Sequence, residues 1–488
     1  MRLDHRGSVN DPTVHGTRTT LVCLGTPLPR RQRWDDVGAD GMERKQHRMK
    51  IAVIGTGIAG MSAAWLLNTR HDVTVYEKNP RAGGHSNTVE VATRAGPTAV
   101  DTGFIVYNTL NYPNLTALFT HLGVPTKASD MSFAASLRGG RLEYAGTDLN
   151  GLLGQRRNIL RPRFWRMIKD LLRFYRSAPA LLADPQSRAL SLGDYLGREG
   201  YSAEFIDDHL LPMGAAIWST TPPDMLAYPA AAFISFFQSH GLLLLRDRPQ
   251  WRTVDGGSRE YVRRLTASYS DSIRFRGVRA IKRKPSGVEV EDFQGHVDYF
   301  DHVVIASHAD EALALLADPD EREHTLLRPW RYTKNAAVLH SDPSLMPRRK
   351  RVWASWNFVE PTEKSDASQL CVTYWMNRLQ GLRQDEPFFV TLNPALQPAA
   401  ALKHYEITYT HPLFDEAARR SQRGLWSLQG RRNTWFCGSY FGFGFHEDAL
   451  QAGLAVAERL GDVRRPWQVD GESARIQLPP AKALDNAA

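Results

Sequence analysis

The sequence predicts an α/β protein built on a parallel sheet, and three consecutive stretches carry that prediction. Ile51-Ala52-Val53-Ile54 is an unbroken apolar run, as a strand buried on both faces requires. It enters Gly55-Thr56-Gly57-Ile58-Ala59-Gly60, a G-x-G-x-x-G turn, after which Met61, Ala64, Trp65 and Leu67 open a helical pattern. A second strand, Val73-Thr74-Val75-Tyr76, ends on Glu77, about twenty residues past the glycines. In this register the residues suit a dinucleotide. Gly55 permits the tight turn, Gly57 lets the backbone approach a pyrophosphate, and Gly60 lets helix pack on strand. The helix start at Ile58 and Ala59 offers free N–H groups and a positive dipole end to phosphates. Glu77 can take the ribose hydroxyls and would repel a 2′-phosphate, and Lys78 follows it directly.

A second glycine turn, Asn79-Pro80-Arg81-Ala82-Gly83-Gly84-His85, comes immediately afterwards, and Asp101-Thr102-Gly103 follows a short apolar run. Here the chain resembles the FAD-dependent amine oxidase and phytoene desaturase superfamily, whose fingerprint continues into R-x-G-G-R and D-x-G. The resemblance implies a Rossmann-like FAD-binding domain of the GR2 type with an interleaved α+β substrate domain. It assigns Arg81, Gly83, Gly84, His85, Asp101 and Gly103 to the cofactor. His85 stands where the family usually has Arg.

Composition sets the remaining bounds. A chain of 488 residues is long for one hydrophobic core, so two domains are expected. Shares of 42% apolar and 23% charged residues are those of a globular protein. Cys23, Cys371 and Cys437 show neither metal-ligand spacing nor a disulfide framework, so a reducing cytoplasm and no metal are expected. Residues 1–48 are polar, without sustained periodicity or a signal-peptide core, and read as a disordered extension with Met49 as the natural start.

Farther along, Leu142-Glu143-Tyr144 after Gly139-Gly140 reads as the second arm of a hairpin. Over 161–176, Phe164, Trp165, Ile168, Leu171, Leu172 and Tyr175 form one helical stripe, with Arg163, Arg166, Lys169, Arg173 and Arg176 on the other sides. A core-facing stripe is the favoured reading, and a helix lying on an anionic membrane is the other. Met225 to Leu245 approaches membrane-spanning length, but Pro229, Gln238, His240 and Gly241 interrupt it. One or two buried helices are expected instead, with Phe233, Phe236, Phe237 and Leu242–Leu245 lining an apolar cavity. The segments Ile273–Phe275, Val278–Ile281 and Val288–Val290 alternate as a meander, and Asp301-His302-Val303-Val304-Ile305-Ala306 reads as another buried parallel strand. In relatives, the main chain at the position of Val278 pairs with adenine.

The closing motif is Thr434-Trp435-Phe436-Cys437-Gly438-Ser439, then Gly444-Phe445-His446-Glu447-Asp448 and a helix. In the family this helix start faces the flavin. The resemblance places Gly438 and Ser439 at the turn, the main chain near His446 at a flavin oxygen, and Phe445 against the ring, where monoamine oxidases carry a cage Tyr. Lys334 falls near the family's lysine that holds a water beside flavin N5. The whole pattern resembles a bacterial NAD/FAD-binding, amine-oxidase-like subgroup and the flavin-binding half of plant cyclopropane fatty acid synthases.

The expected division is FAD domain over 49–130, 250–310 and 430–465, substrate domain over 131–249 and 311–429, and a tail from 466 to 488. The expected function is hydride transfer from an apolar, acyl-type substrate to noncovalent FAD. The alternatives are an amine oxidase that uses O2 and a flavin-bound partner without turnover. A cytoplasmic protein with at most peripheral lipid contact is expected. No hydrolytic or nucleic-acid module is present.

Overall fold

The computed structural model describes residues 48–184, 190–218, 221–360 and 371–478. The expected extension before Arg48 and the last ten residues of the expected tail lie outside them. Strand β1 (Lys50–Ile54) sits at the centre of a five-stranded parallel sheet. β2 (Asp72–Tyr76) and His302–Ile305 flank it, and Ile273–Arg274 and Thr434–Phe436 form the edges. The register sets Val53 between Val75 and Val304, so each of these apolar side chains meets another apolar row. Helix α1 (Ile58–Leu67) is buried almost all round, which is why its sequence shows little amphipathic pattern. The sheet covers one side of it, and the closing helix His446–Gly461 covers the other. That second contact is close: a Cβ at Gly453 would lie 2.2 Å from the Ala59 carbonyl oxygen.

A meander forms, but with a different membership: Val278–Lys284, Gly287–Asp292 and Val297–Phe300 compose it, while Ile273–Arg274, expected as its first strand, runs parallel to β2 as an edge of the central sheet. A seven-stranded mixed sheet forms the second layer. Its order is Lys403–Leu413, Arg331–His340, Phe389–Leu392, Val372–Trp375, Trp356–Val359, Phe133–Leu137 and Leu142–Ala145. It is mixed because Trp356–Val359 and Phe133–Leu137 run parallel. The hairpin across Gly139-Gly140 closes it.

The Met225–Leu245 stretch is two helices, Pro222–Ala227 and Ala230–Ser239, parted at Pro229, where the missing N–H ends the first. Phe233, Phe236 and Phe237 are buried as expected, but Leu244 and Leu245 are exposed and line no cavity. In helix Pro162–Ser177, Phe164, Met167 and Phe174 face the core while Trp165 turns outward. Three of its arginines are held by protein carboxylates: Arg163 by Asp208, Arg166 by Glu204, Arg173 by Asp170. No helix among the described residues is long and apolar enough to cross a membrane.

Residues 466–478 are not loose. Trp467 stacks on Trp65 with ring centroids 5.8 Å apart, Ile476 is buried, and Arg475 meets Asp448 at 2.6 Å. Asp448 is fully buried and accepts from the Phe445 N–H at 2.7 Å, so it caps the closing helix. Its neighbour Glu447 reaches helix α2 (Pro113–His121) and accepts from Asn114 N and Leu115 N. Burial raises the Asp448 carboxyl above its ordinary range even with Arg475 beside it. Arg475→Met leaves this carboxylate buried without its cation, and the expected loss is about 3–5 kcal/mol in urea unfolding. Asp448→Asn combined with Arg475→Met is expected to recover most of that loss, and equal losses in single and double variants would refute the pairing.

Candidate active site

The first turn is shaped by what its glycines exclude. Gly55 has φ +103°, and a Cβ there would lie 2.9 Å from Ala306 O. At Gly60 a Cβ would collide with Gly55 O at 2.0 Å. Gly57 differs, because a Cβ there meets nothing within 4 Å. Open space therefore lies in front of the start of α1, which is buried, has no side-chain cap and carries no acid in its first turn. A buried helix start whose N–H groups lack a cap suits an anion, so this cradle fits a pyrophosphate.

Glu77 is buried just past the end of β2, and four donors already hold it, two from the first glycine turn and two from its own loop. Oε2 accepts from Thr56 N at 3.0 Å and Thr56 Oγ1 at 2.5 Å. Oε1 accepts from Asn79 N and Nδ2, both at 2.8 Å. The residue thus organises the first turn as well as standing where a ribose would be read. Lys78 points to the surface and pairs with Glu311 at 2.5 Å. Val278 opens its strand opposite Asp292, and Gly277 before it packs close to Lys78.

The second turn lies directly on the first. Gly83 N donates to Thr56 O at 3.0 Å, and a Cβ at Gly84 (φ +58°) would lie 3.0 Å from Gly57 Cα. Arg81 donates to Gly84 O at 2.8 Å and Ser86 O at 3.2 Å, so its guanidinium braces this turn. Gly103 is required because a Cβ would sit 2.1 Å from His85 O. Asp101 is a clamp: it accepts from Thr88 Oγ1, Ser258 N, Ser258 Oγ and Gln380 Nε2, at 2.6–3.0 Å. It ties the second turn to the later Gly256-Gly257-Ser258 turn.

Several functional side chains went unassigned in the sequence. Ser86 and Tyr261 share a very short hydrogen bond, and Tyr261 OH reaches His446 Nε2 at 2.7 Å. Phe104 stacks on the His446 ring at 3.9 Å. This chain fastens the second turn to the start of the closing helix. On its other side, His85 stacks on Tyr409 at 4.9 Å, with His411 at 5.4 Å and His308 at 6.5 Å. Asn335 Nδ2 donates to His411 Nδ1 at 2.9 Å. His85 Nε2 is buried with no hydrogen-bond partner among the described residues. The three histidines are 223 and 103 residues apart in sequence at the nearest, so no spacing signal joins them. The rings are not arranged around a metal, because no group of three or more His, Cys, Asp or Glu among the described residues could hold one.

Lys334 is exposed and makes no ion pair among the described residues, whereas its neighbour Asn335 is buried and holds His411. Strand alternation puts the two on opposite faces, so of this pair the buried polar position is Asn335. Gly438 allows Tyr440 to pass, since a Cβ there would lie 2.6 Å from that ring. The Ser439 carbonyl accepts from Gly442 N and Gly444 N. Phe445 stacks on Phe236 at 4.8 Å, with His240 at 5.9 Å.

Burial holds these histidines neutral. His85 lies well below the ordinary imidazole value, His411 is pushed down to about 4, and His240 and His446 to about 3. Their unfolded forms take up protons near pH 6.5 while the native forms do not, so stability is full above that pH and falls as pH drops toward 4. Asp101 acts in the opposite sense, its carboxyl raised by burial to about 6, so it loses stability as pH rises through 6. The histidines outnumber it. Unfolding free energy is expected to fall between pH 6.5 and 4, by about 1.4 kcal/mol per pH unit for each proton taken up. Urea melts at several pH values should show this, with a shallower slope for His411→Asn; a flat profile would mean that the rings are solvated.

The pattern of the family described as flavin containing amine oxidoreductase matches residues 58–383. The L-amino-acid oxidase of Pseudechis australis is 37% identical over 54 residues, a stretch spanning 11% of this chain and 10% of that protein. Cyclohexylamine oxidase from Brevibacterium oxydans IH-35A superimposes with a TM-score of 0.60 at 16% identity, over 85% of this chain and 100% of that one. The CLA-producing fatty acid isomerase from P. acnes gives 0.58 at 15%, over 84% and 98%. Reduced UDP-galactopyranose mutase gives 0.58 at 13%, over 87% and 97%. With the family pattern running across two-thirds of its length and both glycine turns in place, the chain belongs to the flavin-containing amine oxidoreductases and is an FAD-dependent oxidoreductase of that superfamily.

Proposed function

We propose that the protein binds FAD noncovalently between its two glycine turns and the closing helix, and takes a hydride from an apolar, acyl-type substrate. The observation that carries the substrate reading is a run of stacked aromatic rings ending at the closing helix. Trp218 packs on Phe233 at 5.4 Å and on Phe236 at 4.7 Å, and Phe236 stacks on Phe445. Such a wall excludes water and suits a hydrocarbon chain. The two carboxylates at this end, Glu447 and Asp448, are engaged by α2 and Arg475, which leaves neither to meet a substrate ammonium.

When bound, FAD supplies the hydride acceptor. The protein's part is to hold the cofactor and shield it from water. The start of α1 and Gly57 would hold the pyrophosphate, Glu77 would keep the first turn in shape beside the ribose, and the second turn with His85 would meet the remaining polar edge. His240 Nδ1 lies 2.9 Å from Phe236 O, so it donates there. Its Nε2 has no partner among the described residues, and burial keeps the ring neutral beside the Phe236–Phe445 stack.

Two measurements test this reading. Gly57→Val fills the cradle with a side chain whose Cβ meets no protein atom within 4 Å, so apo stability should change by no more than ~0.5 kcal/mol while the FAD dissociation constant rises at least about a hundredfold. Wild-type flavin should leave on acid precipitation; retained flavin would overturn noncovalent binding. In anaerobic mixing, long-chain acyl lipids are expected to bleach the flavin and primary amines are not. Phe236→Ala should slow that bleaching about tenfold, a barrier rise of about 1.4 kcal/mol. Bleaching by amines alone would establish the amine-oxidase alternative instead.

A further inference from the structure

Outside the flavin site, the most unusual surface is where the hairpin tip, the turn Arg156–Leu160 and the start of helix Pro162–Ser177 meet. Leu160 is 86% and Leu149 76% exposed, and Ile159 and Trp165 are about half exposed. Large apolar side chains in water at this density are not core residues, and a group of them marks a contact surface. They belong to one patch. Trp165 Nε1 donates to Ile159 O at 2.8 Å, and Arg156 donates to Asn150 Oδ1, beside Leu149, at 2.6 Å.

Cations ring this apolar group. Arg157 and Arg161 both donate to the Arg141 carbonyl, which gathers two guanidinium groups at the hairpin tip, where Arg141 is itself exposed. The Arg161 guanidinium is pulled below its ordinary value by partial burial and by the neighbouring charges of Arg157, Arg138 and Arg349. Two of the acids that offset part of this charge lie underneath, while Asp207 and Glu360, on the Arg138 side, are exposed. Asp208 holds Arg138 and Arg163, and Glu143 holds Arg349, and both carboxylates are fully buried. At the surface the field is positive, with Asp148 capping Leu149–Leu152 at one edge.

We propose that this patch seats the protein on an anionic phospholipid surface, with Ile159 and Leu160 entering the headgroup layer and Arg141, Arg156 and Arg157 meeting phosphates. Charge complementarity selects this occupant. A second copy would bring two basic rings together, and a nucleic acid has no place for leucines at the centre of the footprint. A bilayer interface takes both groups at once, because apolar insertion and anionic attraction add. The arginines of helix Pro162–Ser177 that already hold carboxylates are not the contact; the turn before that helix is. This inference does not depend on the substrate, so an amine-oxidising enzyme could still carry the patch.

The test uses the full-length flavoprotein in flotation with phosphatidylcholine vesicles, with and without phosphatidylglycerol. Wild type is expected to float only with the anionic vesicles, and less at higher salt. Arg156→Gln with Arg157→Gln should weaken binding roughly 25-fold, taking about fivefold per cation. Ile159→Ser with Leu160→Ser should weaken it about tenfold or more. These side chains are exposed, so both pairs should keep their flavin spectrum and melting temperature. The proposal fails if wild type ignores anionic vesicles or if both variants float like wild type. It also fails if the apolar pair instead abolishes a dimer seen in sedimentation, which would make a second copy the occupant.

Discussion

Everything at the site hangs on two peptide turns lying against each other with no side chain between them. Gly84 rests on Gly57, and Gly83 N–H bonds to the carbonyl of Thr56. Neither contact survives a Cβ at Gly84 unless the first turn moves. Glu77 then holds Thr56 from behind through both its N–H and its hydroxyl. Charge-assisted bonds of this kind are stronger than neutral ones, and inside a buried loop they fix its shape before any cofactor arrives. The later elements are attached to this pair. Asp101 draws in Ser258, Ser86 draws in Tyr261 and His446, and Gly103 lets the chain pass under His85.

That arrangement explains which parts could be read from residues alone. The glycine turns, the buried parallel strands and the break at Pro229 are local: each needs only neighbours in sequence, so each leaves a local pattern. The histidine cluster does not. His411 reaches His85 because Lys403–Leu413 pairs with Arg331–His340 in a register that puts Asn335 opposite Tyr409. A shift of one residue would have turned Lys334 inward and Asn335 outward. Nothing in Tyr332-Thr333-Lys334-Asn335 states which of the two alternating faces is buried, and the family's lysine drew attention to the exposed one.

Charge placement obeys the same division. Glu447 and Asp448 read as a helix start, where acidic residues are favoured. Their full burial and their partners came only with the packing. Glu447 serves as the cap of another helix, and Asp448 is neutralised by Arg475, a residue of the segment that had looked like a tail. A buried carboxylate needs a compensating cation or donors, and the chain supplies the cation from 27 residues further on. The last described stretch is therefore part of the site's foundation.

The exchange of the family's Arg for His85 follows from these surroundings. A guanidinium there would stand over the Tyr409 ring beside His308 and His411, with Arg81 close enough to add its own repulsion. The buried carboxylates of the two turns, Glu77 and Asp101, are already engaged by backbone and side-chain donors, so neither is left to answer it. A neutral imidazole removes that conflict and keeps a ring nitrogen free. The positive potential offered to a bound phosphate then comes mainly from the start of α1 rather than from a side chain. On the proposed binding of FAD, phosphate recognition would be built from backbone, and it would depend on the packing of the two glycine turns more than on any single charged residue.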